Sequence, residues 1–316
     1  MNRKTSLHIA RKAWVFLLLM ALTFLAISQR QLLSEALDKL AILTTLKLVI
    51  AFAVQLLLWS VQILVWRETV KSMSGSTIGY KSSTVHLAAL VVGKYIPGKL
   101  WGMIARGGKL IQQGMTVNTA FEVTLYEQML IVISAVLIFL IGYSVFAEQE
   151  LRLFALCGFF ACLSLPTLLP RFGTCLYRWK FFKNTPKTTS SRLAEISHAR
   201  IYWLTWLHSI AWLLQGLIVI ILAAGISINI QDIAWALIAS NAMSSLIGFF
   251  AFFAPAGAGI REASFIFLLH EEISIENLAA LTILIRLWTL VADLSLGIIG
   301  ASLAVSLAET ESKNNH

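Results

Sequence analysis

The chain has 316 residues, 58% of them apolar and only 13% charged, with a mean hydropathy of +0.79. A soluble domain carries charge on roughly a quarter of its residues, so composition excludes a water-soluble globular chain, and with 5 prolines a disordered one as well. The formal net charge of +9 is no nucleic-acid footprint, because the basic residues cluster between apolar runs, as the positive-inside rule dictates. Cys157, Cys162 and Cys175 form no C-x-x-C pair and the 6 histidines are dispersed, so neither a disulfide framework, nor a metal site, nor any other cofactor is expected.

Apolar runs near the length of a bilayer crossing predict six full spans, at 13–28, 48–66, 128–147, 153–170, 201–230 and 278–307. The first also has signal-peptide features, with Arg11 and Lys12 ahead of it and Ala26-Ile27-Ser28 at its end, although a polytopic chain ordinarily keeps its first helix as an anchor. Two more apolar stretches are interrupted. The run 85–110 breaks around Lys94-Tyr95-Ile96-Pro97-Gly98-Lys99, and the run 233–269 around Pro255-Ala256-Gly257-Ala258-Gly259. Each reads as a pair of half-helices.

Charge sets the orientation. The N-terminal tail holds Arg3, Lys4, Arg11 and Lys12; residues 67–84 hold Arg67, Lys71 and Lys81 against Glu68; and 171–200 holds seven basic residues against Glu195. These connections are expected to face the cytoplasm. The neutral or acidic connections, 29–39, 148–152, Asp232 and 270–277 with Glu271, Glu272 and Glu276, are expected to face outward, which leaves both termini inside. The stretch 171–200, with Tyr177, Trp179, Phe181 and Phe182 among its basic residues, reads either as an interfacial helix or as a solvated loop. Trp14, Trp66 and Trp203 near span ends fit an aromatic belt, and His86 and His208 read as satisfied interior or interface histidines.

Pro97 and Pro255 lie 158 residues apart, and the same offset carries 48–66 into 201–230 and 128–147 into 278–307. The expected architecture is therefore one all-α polytopic membrane domain over residues 1–316, with unit 1 at 40–147, unit 2 at 201–307 and the basic connection 171–200 between them. The units have opposite orientation, so this is an inverted-topology repeat with two broken, re-entrant helix pairs, the arrangement of secondary transporters. Regular helix spacing alone also aligns a polytopic chain with itself; the matched Pro/Gly breaks favour the repeat.

Irregular backbone within a bilayer must be buried in protein or line a polar cavity. Pro97 lacks an amide proton, and Gly98, Gly257 and Gly259 accept unusual torsions, so a new helix can begin at each break with free amides. Helix N-termini attract phosphate. The expected substrate-binding set is Lys94, Tyr95, Pro97, Gly98, Lys99, Arg106, Pro255, Gly257, Gly259, Arg261 and Glu262. Two alternatives stay open: Lys94, Lys99, Arg106 and Lys109 as snorkelling interfacial side chains, and Arg261 with Glu262 as a neutralised hinge. Glu127, Arg286 and Asp293 lie in or beside spans and form an expected intramembrane charge switch. Arg286 and Asp293, seven residues apart, share a helix face, and the offset brings Glu127 next to Arg286, which suggests an ion pair between them.

The run Gly93-Lys94-Tyr95-Ile96-Pro97-Gly98-Lys99-Leu100-Trp101-Gly102, followed by Pro255-Ala256-Gly257-Ala258-Gly259-Ile260-Arg261-Glu262-Ala263, resembles the lysylphosphatidylglycerol synthase transmembrane-region family, the flippase-like part of multiple peptide resistance factor proteins and their stand-alone relatives. That resemblance implies a helical membrane domain moving phospholipids or lipid-linked sugars between leaflets. The family's synthases add a soluble aminoacyl-transferase domain; this chain ends at His316, so lysyl transfer is not implied. Ala256 stands at the first of two places where the family has paired glycines.

The function expected is a lipid translocase, not an enzyme, of the bacterial inner membrane, passing an anionic phospholipid or a polyprenyl-phosphate-linked sugar. The alternative is a non-transporting partner of an envelope glycosyltransferase or lipid synthase. No nucleotide-binding or hydrolase motif is present, and no carboxylate or histidine constellation beside the breaks supports a transferase.

Overall fold

A computed structural model describes residues 45–96, 100–146, 149–178, 196–251 and 254–314; the expected span at 13–28 and most of the basic connection lie outside them. Among the described residues the chain is helical, with no strand. In order come α1 Thr45–Ser74, α2 Tyr80–Gly93, α3 Trp101–Gln112, α4 Val117–Phe146, α5 Gln149–Arg178, α6 His198–Gly225, α7 Ala234–Phe250, α8 Ile260–Leu269 and α9 Ile275–Asn314.

Four segments, Thr45–Ser74, Val117–Val145, His198–Gly225 and Ile275–Leu307, are long and apolar enough to cross a membrane. Among the described residues α5 contributes the apolar stretch Leu151–Leu165. Helix α1 illustrates the solvent for which these helices are built. Its inward stripe of Ala51, Gln55, Leu58, Val65, Thr69 and Met73 follows the 3–4 residue helical period, yet Leu46, Val49, Phe52 and Leu57 on its outer side are exposed. Large apolar side chains on both faces fit a helix between a protein core and lipid tails. These features are those of an α-helical membrane protein.

Two cores hold the bundle. One gathers Leu222, Leu237, Leu269, Leu278 and Leu281 from α6, α7, α8 and α9; the other gathers Val70, Leu110, Leu130, Ile201 and Leu204 from α1, α3, α4 and α6. Helix α1 packs along α6, α2 along α9, and α7 along α4; the short helices pair as α2 with α3 and α7 with α8. Polar ties join the long helices: Lys47 Nζ donates to the Ala224 carbonyl at 2.8 Å, and Trp288 Nε1 donates to Gln55 Oε1 at 3.1 Å. Residues 171–178, the start of the basic connection, continue α5 as helix.

Candidate functional site

Both interrupted stretches fold as pairs of short helices. The first helix of the first pair ends at Gly93 and its partner begins at Trp101, with Pro97, Gly98 and Lys99 outside the described residues. In the second pair α7 ends at Phe250, a single tight turn runs Pro255–Gly257, and α8 begins at Ile260. Gly257 and Gly259 have φ of 71° and 82°, the left-handed region where glycine alone is unstrained. Ala256 also has positive φ, 49°, at a cost of about 1–2 kcal/mol for an L-residue. Both of its polar backbone groups are used: its amide donates to the Lys94 carbonyl at 3.0 Å, and its carbonyl accepts from Arg286 Nη1 at 3.0 Å. The two breaks therefore meet, main chain to main chain.

Charged side chains converge on this junction. Asp293, nearly buried, receives Lys94 Nζ at 2.6 Å and the Tyr95 hydroxyl at 2.7 Å on the same oxygen. Glu262 accepts the Gly259 amide at 2.7 Å, capping α8, and its other oxygen takes Arg286 Nε. Arg261 Nη2 donates to Asn241 Oδ1 at 3.0 Å. Asn241, Ser244, Thr282 and Phe265 join Arg261, Glu262 and Arg286 around a narrow cleft between α7, α8 and α9. Arg286 thus meets the second break and Asp293 the first, both from one face of α9, as their spacing predicts.

A second ionic centre lies apart from the junction. Arg106 on α3 makes a bidentate pair with Glu127 on α4, with one N···O distance of 2.9 Å. Its guanidinium stacks over Trp66, 3.2 Å from the ring centroid, and Trp66 Nε1 donates to His86 Nδ1 at 3.2 Å. Arg106 and Trp66 are both 0% exposed.

Several expectations are corrected here. Glu127 pairs with Arg106 and Arg286 with Glu262, so the suggested Glu127–Arg286 pair does not form. The offset relates residues on α4 and α9, and those helices pack on α7 and α2 rather than on each other. Arg261 and Glu262 are not a mutually neutralised pair, since successive residues on a helix point different ways and each finds its own partner. Arg106 does not snorkel to an interface and is not directed to the junction; it is occupied by Glu127. Trp66 is a core residue under a cation rather than part of an aromatic belt, while Trp203 is exposed and stacks with Trp206. His86 is an interior acceptor, and His208 is buried with Nε2 unpartnered.

The structure adds Asn241 and Ser244 to the site, and Trp66 to the second centre. Their signal in the sequence was faint: Ser240-Asn241 and Ser244-Ser245 interrupt an otherwise apolar helix at i, i+4 spacing, the positions that share one face. Among the described residues no group of His, Cys, Asp or Glu is arranged to hold a metal. No protein-family model matches the chain, and no curated protein matches it.

Proposed function

We propose that the chain is a lipid translocase of the bacterial inner membrane, in which the headgroup of an anionic phospholipid or polyprenyl-phosphate-linked sugar passes the junction of the two breaks. One observation carries this reading: two interrupted helix pairs touch through the Lys94 carbonyl and the Ala256 amide, and Lys94, Arg261, Arg286, Asp293 and Glu262 gather around that contact within a bundle of apolar helices. Ionisable groups are costly in such surroundings and ordinarily serve a substrate path or ion relay.

We also propose that 40–147 and 201–307 are inverted copies. Four elements recur in one order, long, short, short, long, and the cross-unit packing is reciprocal, α4 on α7 and α9 on α2. Gly142 and Gly300, separated by the same 158 residues, make close approaches between the units: a Cβ on Gly142 would crowd Ala239 of α7, and one on Gly300 would overlap Ala88 of α2. Each unit also ties its second short helix to its last long helix with an ion pair, Arg106–Glu127 in one and Glu262–Arg286, with the signs exchanged, in the other. The side chains of the first pair are 1% and 4% exposed and those of the second 25% and 22%. The unequal exposure supports reading the fold as one of two access states, closed on the α3–α4 side and accessible on the α8–α9 side. The two break motifs support kinship with the lysylphosphatidylglycerol synthase transmembrane-region family.

Two measurements test this. Full-length protein in liposomes is expected to exchange fluorescent anionic lipids between leaflets, and Arg261→Gln to slow that exchange by about 10-fold to 150-fold, the effect of one charged hydrogen bond. Wild-type protein that exchanges no lipid would turn the reading to a partner of an envelope enzyme. In whole cells, an impermeant thiol reagent is expected to label Ser274→Cys, which is exposed before α9, and to leave Ser76→Cys, exposed after α1, untouched. The reverse pattern would overturn the orientation.

A further inference from the structure

Lys94, Arg261 and Arg286 bring three cations to the junction, and Asp293 and Glu262 bring two carboxylates. One positive charge is left over in apolar surroundings, where an uncompensated charge is costly. Chemistry decides which group can relieve it. Guanidinium groups keep their protons. Tyr95 donates its proton to Asp293, and losing it would set a second anion against that carboxylate. Protonating Asp293 or Glu262 would add to the surplus. Lys94 remains: loss of one proton from its ammonium leaves two guanidiniums facing two carboxylates, and a lysine amine is a group that such surroundings can deprotonate.

The position of Lys94 suits proton exchange. It follows α2 at the first break, with Nζ 2.6 Å from Asp293 Oδ2 and 5.4 Å from the centroid of the Tyr95 ring. Its side chain is 36% exposed and that of Asp293 only 9%, so the amine has an access that its partner lacks. Asp293 and Arg286 on α9 and Arg261 on α8 are the charges that act on it. Glu262 on α8 is committed to Gly259 and Arg286, and Arg106 on α3 to Glu127.

The same residue holds two links. Its carbonyl accepts from the Ala256 amide at 3.0 Å, and its side chain ties the first break to α9. The main-chain link is indifferent to protonation. The side-chain link changes from a charge-assisted hydrogen bond to a neutral one, about half as strong.

We propose that Lys94 is a proton-coupling site, protonated and tied to Asp293 in one access state, neutral and loosely held in the other. In each cycle one Nζ–H bond breaks, the electron pair stays on nitrogen and the proton passes to water; water on the opposite side of the membrane returns a proton to Nζ. The proposal rests on the translocase reading and names what drives it, a transmembrane proton gradient.

Two experiments on the full chain test it. Acetic anhydride attacks only the neutral amine. In neutral detergent Lys94 is expected to be acetylated at about pH 8, where exposed Lys71 and Lys81 still hold their protons, as lysines in water do to about pH 10. Asp293→Asn removes the neighbouring anion and is expected to lower the onset of Lys94 acetylation by about one pH unit or more, read by mass spectrometry. Lys94 reacting only together with Lys71 and Lys81 would overturn the proposal.

In liposomes with the membrane potential clamped by potassium and valinomycin, a pH difference of about one unit is expected to bias the leaflet ratio of fluorescent phosphatidylglycerol by up to about 10-fold, the limit for one proton per lipid. Lys94→Arg keeps the charge but cannot shed a proton, and Lys94→Gln has none to shed, so neither is expected to show the bias. A plain salt bridge would instead let Lys94→Arg behave as wild type, which would also overturn the proposal. Wild-type exchange without bias leaves the translocase standing and removes the coupling. Acetylation of Lys94 as expected, with no lipid exchange at all, leaves the titrating lysine standing and removes the lipid path.

Discussion

Arg106→Met is expected to destabilise the folded protein by about 3–5 kcal/mol, because it leaves Glu127 buried and charged with no partner. Few buried groups are so fully committed: both oxygens of Glu127 take N–H donors from one guanidinium, and the pair lies in the core formed by α1, α3, α4 and α6. Removing both charges is a different experiment. Arg106→Met with Glu127→Leu exchanges an ion pair for apolar groups of similar length, a replacement that is often neutral. Most of the lost stability is therefore expected to return in the double variant, read by thermal unfolding of purified protein in detergent. Equal instability of the single and double variants would show that stacking on Trp66, not charge compensation, is what the site requires.

Gly93→Val is expected to abolish lipid exchange while the protein still inserts. A Cβ at residue 93 would overlap the backbone of Gly102, where α2 and α3 lie against one another beside the first break. Backbone cannot rotate away as a side chain does, so the two short helices must separate. Overpacking of this kind costs about 1–3 kcal/mol, and here the displacement falls one residue from the Lys94 carbonyl that meets Ala256. The exchange rate is expected to fall at least about 100-fold, a loss equivalent to roughly 2.7 kcal/mol. Gly108→Val on the partner helix α3 provides the control, since a Cβ there meets nothing within 4 Å. Similar losses from both variants would remove the case for a special contact at the break.

How much of this was legible in the amino-acid order differs from element to element. The long helices were, because an uninterrupted apolar run has few other solutions. So were the breaks: Pro97-Gly98 and Pro255 with Gly257 and Gly259 mark both interruptions, and the described helices stop at Gly93 and Phe250 and resume at Trp101 and Ile260. The participation of Lys94, Tyr95, Arg261, Glu262, Arg286 and Asp293 in one cluster was legible in part, as ionisable groups in apolar surroundings must meet. Their pairing was not. Which carboxylate Arg286 reaches depends on the rotation of α9 about its axis and on the placement of α8, neither of which a sequence interval encodes. Arg106 misled for a related reason. An arginine near the end of an apolar run has the same local pattern whether it reaches for headgroups or folds inward, and Glu127 and Trp66, which decide the matter, are 21 and 40 residues away. Asn241 was not legible because an uncharged polar residue hardly changes hydropathy, although its side-chain oxygen accepts from Arg261 at 3.0 Å.

The contact between the Lys94 carbonyl and the Ala256 amide belongs to the main chain, so it is insensitive to what side chains stand at either position. Mutation can alter charge, bulk and polarity around it without deleting it; only a proline at 256 removes the donor. The two breaks are thereby joined through main chain as well as through the Asp293 contacts of Lys94 and Tyr95. A tilt of α2 that displaces Lys94 pulls on the turn at Ala256, and through the Ala256 carbonyl it also pulls on Arg286 and the register of α9. Motion that begins at one face of the molecule has a mechanical linkage to the other, four atoms wide.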